Sequence, residues 1–267
     1  MKSTICWINR FFVVGMIVFS MLFTTACTPG NGPSPQRSSV VLYGSDISGN
    51  IFTIDTTTGA GTLVGTLDTI GGITEIIYDF NTGRAFAQDR DGSFQGIEFD
   101  ILTATTIGAI IPDSYTWTGL EYVGTTWYGS AYDGTNNAQL GTFDPFTGTS
   151  TLVGEFGTGQ TAMTGLAYDK TNNIMYGVSG KGIGGSSLYT INLTTGEATL
   201  VGLTGYALGG LKYGPDGLLY AVESNHGIGT NLYVIDTATG AGTLVGNTGF
   251  TGLSGLTLGP KPEAIKP

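Results

Sequence analysis

The chain has 267 residues, 45 of them glycine, with 40% hydrophobic but only 11% charged residues and a formal net charge of −10. That apolar content suffices for a packed core and excludes a disordered chain. The excess of acid over base excludes a surface built to neutralise nucleic-acid phosphates or an anionic membrane. The acidity has two readings: Asp is an ordinary turn residue that also aids solubility, or it gathers cations.

In chain order, residues 1–26 form an address. They carry Lys2 and Arg10 and no acid, which leaves the remainder a net charge of −12. Phe11–Phe23 (FFVVGMIVFSMLF) is an apolar run of 13 residues, short for a hydrocarbon layer of about 30 Å. A basic start, an apolar run and small residues make the pattern of a secretory signal. Ala26-Cys27 resembles the lipobox of bacterial lipoproteins, departing from it at Thr24, where the family usually carries Leu. The resemblance implies that Cys27 becomes the lipidated first residue of the mature chain; an uncleaved anchor is the alternative. Cys6 and Cys27 are the only cysteines, so no disulfide or thiolate site is expected beyond the junction. Residues 27–39, rich in Pro, Gly and Ser, read as a flexible tether, and residues 261–267 as a tail.

Between them one phrase returns five times: Ile54–Gly65 (IDTTTGAGTLVG), Phe99–Ile110 (FDILTATTIGAI), Phe143–Gly154 (FDPFTGTSTLVG), Ile191–Gly202 (INLTTGEATLVG) and Ile235–Gly246 (IDTATGAGTLVG). The starts lie 45, 44, 48 and 44 residues apart. A mid-forties period of short β-patterned runs predicts a propeller with one blade per repeat. In Met163–Gly202 the runs MTGLAY, IMYGV, LYTI and ATLV read as four antiparallel strands, separated by turns and one loop. The innermost runs count to five: Ile73–Tyr78, Trp117–Tyr122, Met163–Tyr168, Leu208–Tyr213 and Leu253–Leu258. The domain begins with a second-type strand (Val40–Gly44) and ends with a first-type one, so the two ends complete one blade. The expectation is therefore all-β: a five-bladed propeller over residues 40–260, closed by its N- and C-terminal strands, and monomeric.

The phrases Leu232–Gly246 (LYVIDTATGAGTLVG) and Leu188–Gly202 resemble uncharacterised secreted bacterial propeller lipoproteins, a domain of unknown function near the YVTN-type and quinoprotein amine dehydrogenase-like propellers. The resemblance covers nearly all of Val40–Gly259. It implies the fold and brings no catalytic residues with it.

Alternation of loops in a meander assigns the near-uniform turns Asp55–Gly59, Asp144–Gly148, Asn192–Gly196 and Asp236–Gly240 to one face, where they read as scaffold. The divergent segments Ser45–Asn50, Asp89–Ser93, Tyr132–Ala138, Ser179–Ser187 and Glu223–Thr230 go to the other face, where binding usually lives. The candidate ligand-binding residues there are Asp46, Asp89, Asp91, Asp133, Asn136, Glu223, Asn225 and His226, with Tyr115, Tyr206 and Phe250 as an apolar floor. Unconstrained drift of the loops is the competing explanation.

Four innermost runs carry Gly at their third position (Gly119, Gly165, Gly210, Gly255), whereas the first has Glu75; two positions later stand Ile77, Glu121, Ala167, Lys212 and Thr257. If that face lines the central channel, Glu75, Glu121 and Lys212 meet there, as an internal ion pair or as a functional site. Other motifs are weak. Asp89-Arg90-Asp91-Gly92 lacks the remaining calcium ligands, His226 is the only histidine, and no Gly-x-Ser-x-Gly elbow exists. The aromatics Tyr115, Trp117, Trp127 and Tyr132 suit core packing or sugar stacking. The reading is a lipid-anchored, extracytoplasmic, non-enzymatic binding or scaffold protein whose partner is an envelope protein or glycan. The alternative is a glycan-active or other hydrolase or lyase using Glu75 and Glu121. No cofactor is called for, and Ca2+ only weakly.

Overall fold

Among the described residues four repeats carry an Asx turn, and that turn dictates a hairpin. The computed structural model describes residues 40–67, 72–89, 94–98, 103–106, 115–132, 138–157, 163–179, 185–223 and 230–262. In the first turn Asp55 Oδ1 accepts from the backbone N–H groups of Thr57 (2.7 Å) and Thr58 (3.0 Å), and Gly59 N–H closes on the Asp55 carbonyl at 2.7 Å. Gly59 has φ = 79°, a left-handed conformation that a side chain would strain. Asp144, Asn192 and Asp236 hold their turns the same way.

The strands are β1 (Val40–Asp46), β2 (Asn50–Ile54), β3 (Gly61–Thr66), β4 (Ile73–Asp79), β5 (Arg84–Asp89), β6 (Phe94–Glu98), β7 (Thr103–Thr106), β8 (Thr116–Val123), β9 (Thr126–Tyr132) and β10 (Gln139–Phe143). The chain continues with β11 (Ser150–Glu155), β12 (Met163–Asp169), β13 (Ile174–Ser179), β14 (Ser187–Ile191), β15 (Ala198–Leu203), β16 (Leu208–Tyr213), β17 (Leu219–Glu223), β18 (Asn231–Ile235), β19 (Gly242–Asn247) and β20 (Leu253–Pro260). They form five four-stranded antiparallel sheets: β20-β1-β2-β3, then β4 to β7, β8 to β11, β12 to β15 and β16 to β19, here blades one to five. The five-bladed propeller expected from the repeats is what the chain builds. Blade one unites the two chain ends: β1 pairs with β20 from Val40↔Pro260 onward, and the Tyr43 hydroxyl donates to the Pro260 carbonyl at 2.7 Å.

The inner strands β20, β4, β8, β12 and β16 stand in a ring, each packed against the next. Glycine makes this approach possible. A Cβ at Gly119 would lie 2.7 Å from the Met163 carbonyl oxygen, and one at Gly255 would lie 2.7 Å from the Ile76 nitrogen. Hydroxyls stitch the ring between blades: Thr118 Oγ1 donates to Met163 O (2.9 Å), Thr164 Oγ1 to Leu208 O (3.1 Å) and Ser254 Oγ to Ile73 O (2.5 Å). Each inner strand is bulged near these residues, which turns the hydroxyl toward its neighbour.

Farther out, the repeated Thr-Gly and Val-Gly have one shared purpose. A Cβ at Gly240 would sit 2.7 Å from the Gly202 carbonyl of the preceding blade, and Gly59 stands in the same relation to Gly246, at 2.6 Å. Gly196 and Gly154 approach likewise. Blades three and four, four and five, and five and one thus touch backbone to backbone, and the core fills the sheet faces between blades. One cluster joins Tyr176, Val178 and Leu188 of blade four to Leu211, Leu219 and Tyr233 of blade five.

Candidate functional site

Three places on this frame carry chemistry. The first is the axis. Lys212, on blade five, donates through Nζ to both oxygens of Glu121 on blade three, at 2.6 and 2.9 Å. Glu121 Oε1 also accepts from Tyr122 N (2.9 Å), and Oε2 accepts from Tyr168 N of blade four (3.1 Å). One carboxylate therefore ties three blades together, and both its oxygens are engaged. Thr257 repeats the device at the same position of blade one, accepting from Tyr78 N of blade two at 2.9 Å. Glu75 is buried close enough to feel both charges. Burial pushes its carboxyl well above the ordinary value and Glu121 adds to the rise, while Lys212 opposes it. Its protonated form is thus favoured beside an ion pair.

The second place is the variable-loop face. Asp46 is buried: Oδ1 accepts from Ser48 N and Asn50 N, both at 2.9 Å, and Oδ2 from Asn50 Nδ2 at 2.8 Å. Glu223 accepts from Asn231 Nδ2 (2.9 Å) and the Tyr233 hydroxyl (3.0 Å). Both carboxylates brace the stems of the loops that follow them. Phe250 stacks on Phe52 with centroids 4.5 Å apart, and Tyr206 lies over Tyr233 at 4.0 Å. Tyr115 packs at the edge of the blade-three aromatic cluster, and Asp89 ends β5, half-buried. Asp91, Asp133, Asn136, Asn225 and His226, like Cys27, lie outside the described residues. Among the described residues no group of three His, Cys, Asp or Glu is placed to hold a metal ion.

The third place is a cleft of about 470 Å³ between blades two and three, on the face of the Asx turns. Its depth is aromatic. Trp127, 7% exposed, meets Phe86 edge-on at 5.1 Å, Tyr122 at 5.1 Å and Phe143 at 5.8 Å. Its rim carries Phe146, 53% exposed and edge-on to Phe86 at 5.8 Å. Six threonines (Thr82, Thr125, Thr126, Thr142, Thr149, Thr151), Pro145 and the carboxylates of Asp79 and Asp144 complete the lining. Asn81 Nδ2 donates to the Gly124 carbonyl at 3.1 Å and so links the two blades at this end. The sequence singles out Trp127 and places Asp144 in a scaffold turn, but gives Phe146, Tyr122 and Phe86 no such role. The signal was present in the repeat. Phe146 takes the turn position held in the other repeats by Thr57, Leu102, Thr194 and Ala238, and Phe86 takes the strand position of Tyr43, Tyr128, Tyr176 and Tyr220.

No known family profile matches the chain, and no curated protein does. Solved structures do. A provisional TolB from Agrobacterium tumefaciens superimposes with a TM-score of 0.51 at 10% identity, over 84% of this chain and 91% of the other. A protein of unknown function from Bacteroides caccae gives 0.47 at 10% identity, over 83% and 99%. A provisional 6-phosphogluconolactonase from Bacteroides fragilis gives 0.48 at 12% identity, over 85% and 99%. These neighbours are bacterial propeller proteins, uncharacterised or provisionally assigned. At such identities the likeness concerns the fold, since propellers host unrelated functions.

Proposed function

We propose that this chain is a lipid-anchored, extracytoplasmic binding propeller, non-enzymatic, that recognises an envelope protein or glycan through its variable-loop face. The observation that carries the reading is the engagement of Glu121. With both oxygens bonded to Lys212 and to two backbone N–H groups, it is a strut, and a retaining or inverting hydrolase needs a second carboxylate free to act. The hydrogen bonds at Asp46 and Glu223 support the same view, because they hold the strand ends from which sequence-divergent segments depart. The Ala26-Cys27 junction and the tether after it supply the anchor.

The raised Glu75 carboxyl favours one second reading, an acid catalyst at the axis. A panel of glycoside, lactone and ester substrates assayed with the full chain and Glu75→Gln separates the two. Activity present in the parent and lost in Glu75→Gln supports the enzyme. For the binding reading, capture from envelope extracts is expected to fall when Asp91, Asp133 and His226 are replaced by Ala. Capture unchanged by the triple substitution contradicts the assignment of the face. Lipid attachment is expected to disappear in Cys27→Ala, and palmitate-analogue labelling that survives the change contradicts the anchor.

A further inference from the structure

We infer that the cleft between blades two and three binds a neutral sugar unit, with the Phe146 ring as a stacking platform and Asp144 and threonine hydroxyls as partners for the sugar's hydroxyls. The site lies on the Asx-turn face, and none of its residues belongs to the variable segments.

Its chemistry narrows the ligand. The lining has aromatic rings, hydroxyls and two carboxylates, and no Lys, Arg or His. An anion would meet the repulsion of Asp79 and Asp144 with no cationic side chain to offset it. A metal ion would find too few free oxygens. Asp79 Oδ1 accepts from Asn81 N and Oδ2 from the Thr82 hydroxyl, both at 2.8 Å, and Asp144 Oδ1 holds its own turn. That leaves Asp144 Oδ2, where a hard cation such as Ca2+ takes six to eight oxygens. A purely apolar ligand would desolvate the hydroxyls of Thr125, Thr126 and Thr151, which bond to no other described residue, and leave them unpaired. A sugar ring answers both halves of the lining. One face presents C–H groups to an aromatic ring, and its edge presents hydroxyls to acceptors and donors. The volume of about 470 Å³ falls within the range usual for small-ligand sites.

The repeat supplies the second argument. Three of the four sister repeats place small residues, Thr57, Thr194 and Ala238, where this one places Phe146; the fourth carries Leu102, and none but this one carries an aromatic ring. The turn itself is unaltered: Asp144 bonds Phe146 N at 2.8 Å just as Asp55 bonds Thr57 N at 2.7 Å. The phenyl ring therefore does nothing for the turn, and at 53% exposure most of its surface gains little from the core.

The test uses the full chain in a non-glycosidic detergent, titrated with maltotriose, cellotriose, mannotriose and triacetylchitotriose by calorimetry and tryptophan emission. At least one trisaccharide is expected to bind saturably, one to one, with a change in Trp127 emission that is absent in Trp127→Phe. Phe146→Thr restores the residue that two sister turns already carry, and is expected to weaken that binding about tenfold or more with the melting temperature unchanged. Asp144→Asn keeps the turn, as Asn192 does in blade four, and is expected to weaken binding about threefold to tenfold. Failure of all four sugars to titrate at millimolar concentration overturns the proposal, as does binding that both substitutions leave intact. Should Phe146→Thr melt early, Asp144→Asn decides alone.

Discussion

The axis and the blade-two/blade-three cleft hold similar polar groups in opposite states. At the axis every polar partner is another part of the fold: Lys212 meets Glu121, Glu121 meets two backbone N–H groups, and Thr257 meets a third. In the cleft Asp144 keeps one oxygen outside its turn, several threonine hydroxyls have no partner among the described residues, and a phenyl ring stands half in water. Charged residues near a channel look like chemistry in a sequence, and threonines in a repeated turn look like scaffold. On the reading proposed above those roles are exchanged, because a polar group answered by the fold stabilises the fold, and one left open is available to a ligand.

The sharpest way to break this comparison is Lys212→Met. It leaves the buried Glu121 carboxylate without its counter-charge and is expected to cost about 3–5 kcal/mol in urea unfolding, with Glu121→Gln in the same chain restoring most of it. A loss under about 1 kcal/mol would mean that water reaches the axis and that Glu121 is not a strut. Next is Gly202→Val. Its Cβ would strike the Thr239 carbonyl of the next blade, and overpacking of this kind costs about 1–3 kcal/mol. Equal stability would show that blades four and five do not touch through their glycines.

Glu75→Gln sharpens the axis half through pH. In the unfolded chain Glu75 ionises around the ordinary 4.5, whereas burial raises its pKa well above that in the folded chain. The folded state therefore binds more protons over that window, and stability falls as pH rises until the folded pKa is passed. Gln carries no such slope. The gain in melting temperature from Glu75→Gln is expected to be larger at pH 8 than at pH 5, and an equal gain at both would refute a buried, neutral Glu75. The smallest stability effect belongs to the cleft: Phe146→Thr is expected to change unfolding free energy by no more than about 0.5 kcal/mol. A large loss would make Phe146 a core residue and return the cleft to scaffold.

Much of this was legible along the chain. The Asp-x-x-Thr-Gly turn and the strand alternation are local, so their recurrence fixes the blade count, and the leftover first-type strand at the end fixes how the ring closes. The expected fourth strand of blade four, Ala198–Val201, runs on to Leu203, because the outer strand follows the full length of its partner from Ser187 to Ile191. The column of Glu75, Glu121 and Lys212 was also visible as residues that share a strand face. Their states were not. Which oxygen Lys212 reaches, and whether Glu75 meets water, depends on how five inner strands from distant parts of the chain close around one axis. The cleft was hidden for the same reason, since Phe86 and Trp127 sit in different repeats and meet only where two blades lie side by side.

The sequence by itself determined the blade, the number of blades and the seam, because hydrogen-bonded turns and side-chain alternation are properties of neighbours a few residues apart. Tertiary structure alone decided which polar groups are answered and which stay open. Burial and ion pairing depend on what the far side of the ring brings within about 4 Å, and no local pattern encodes that distance.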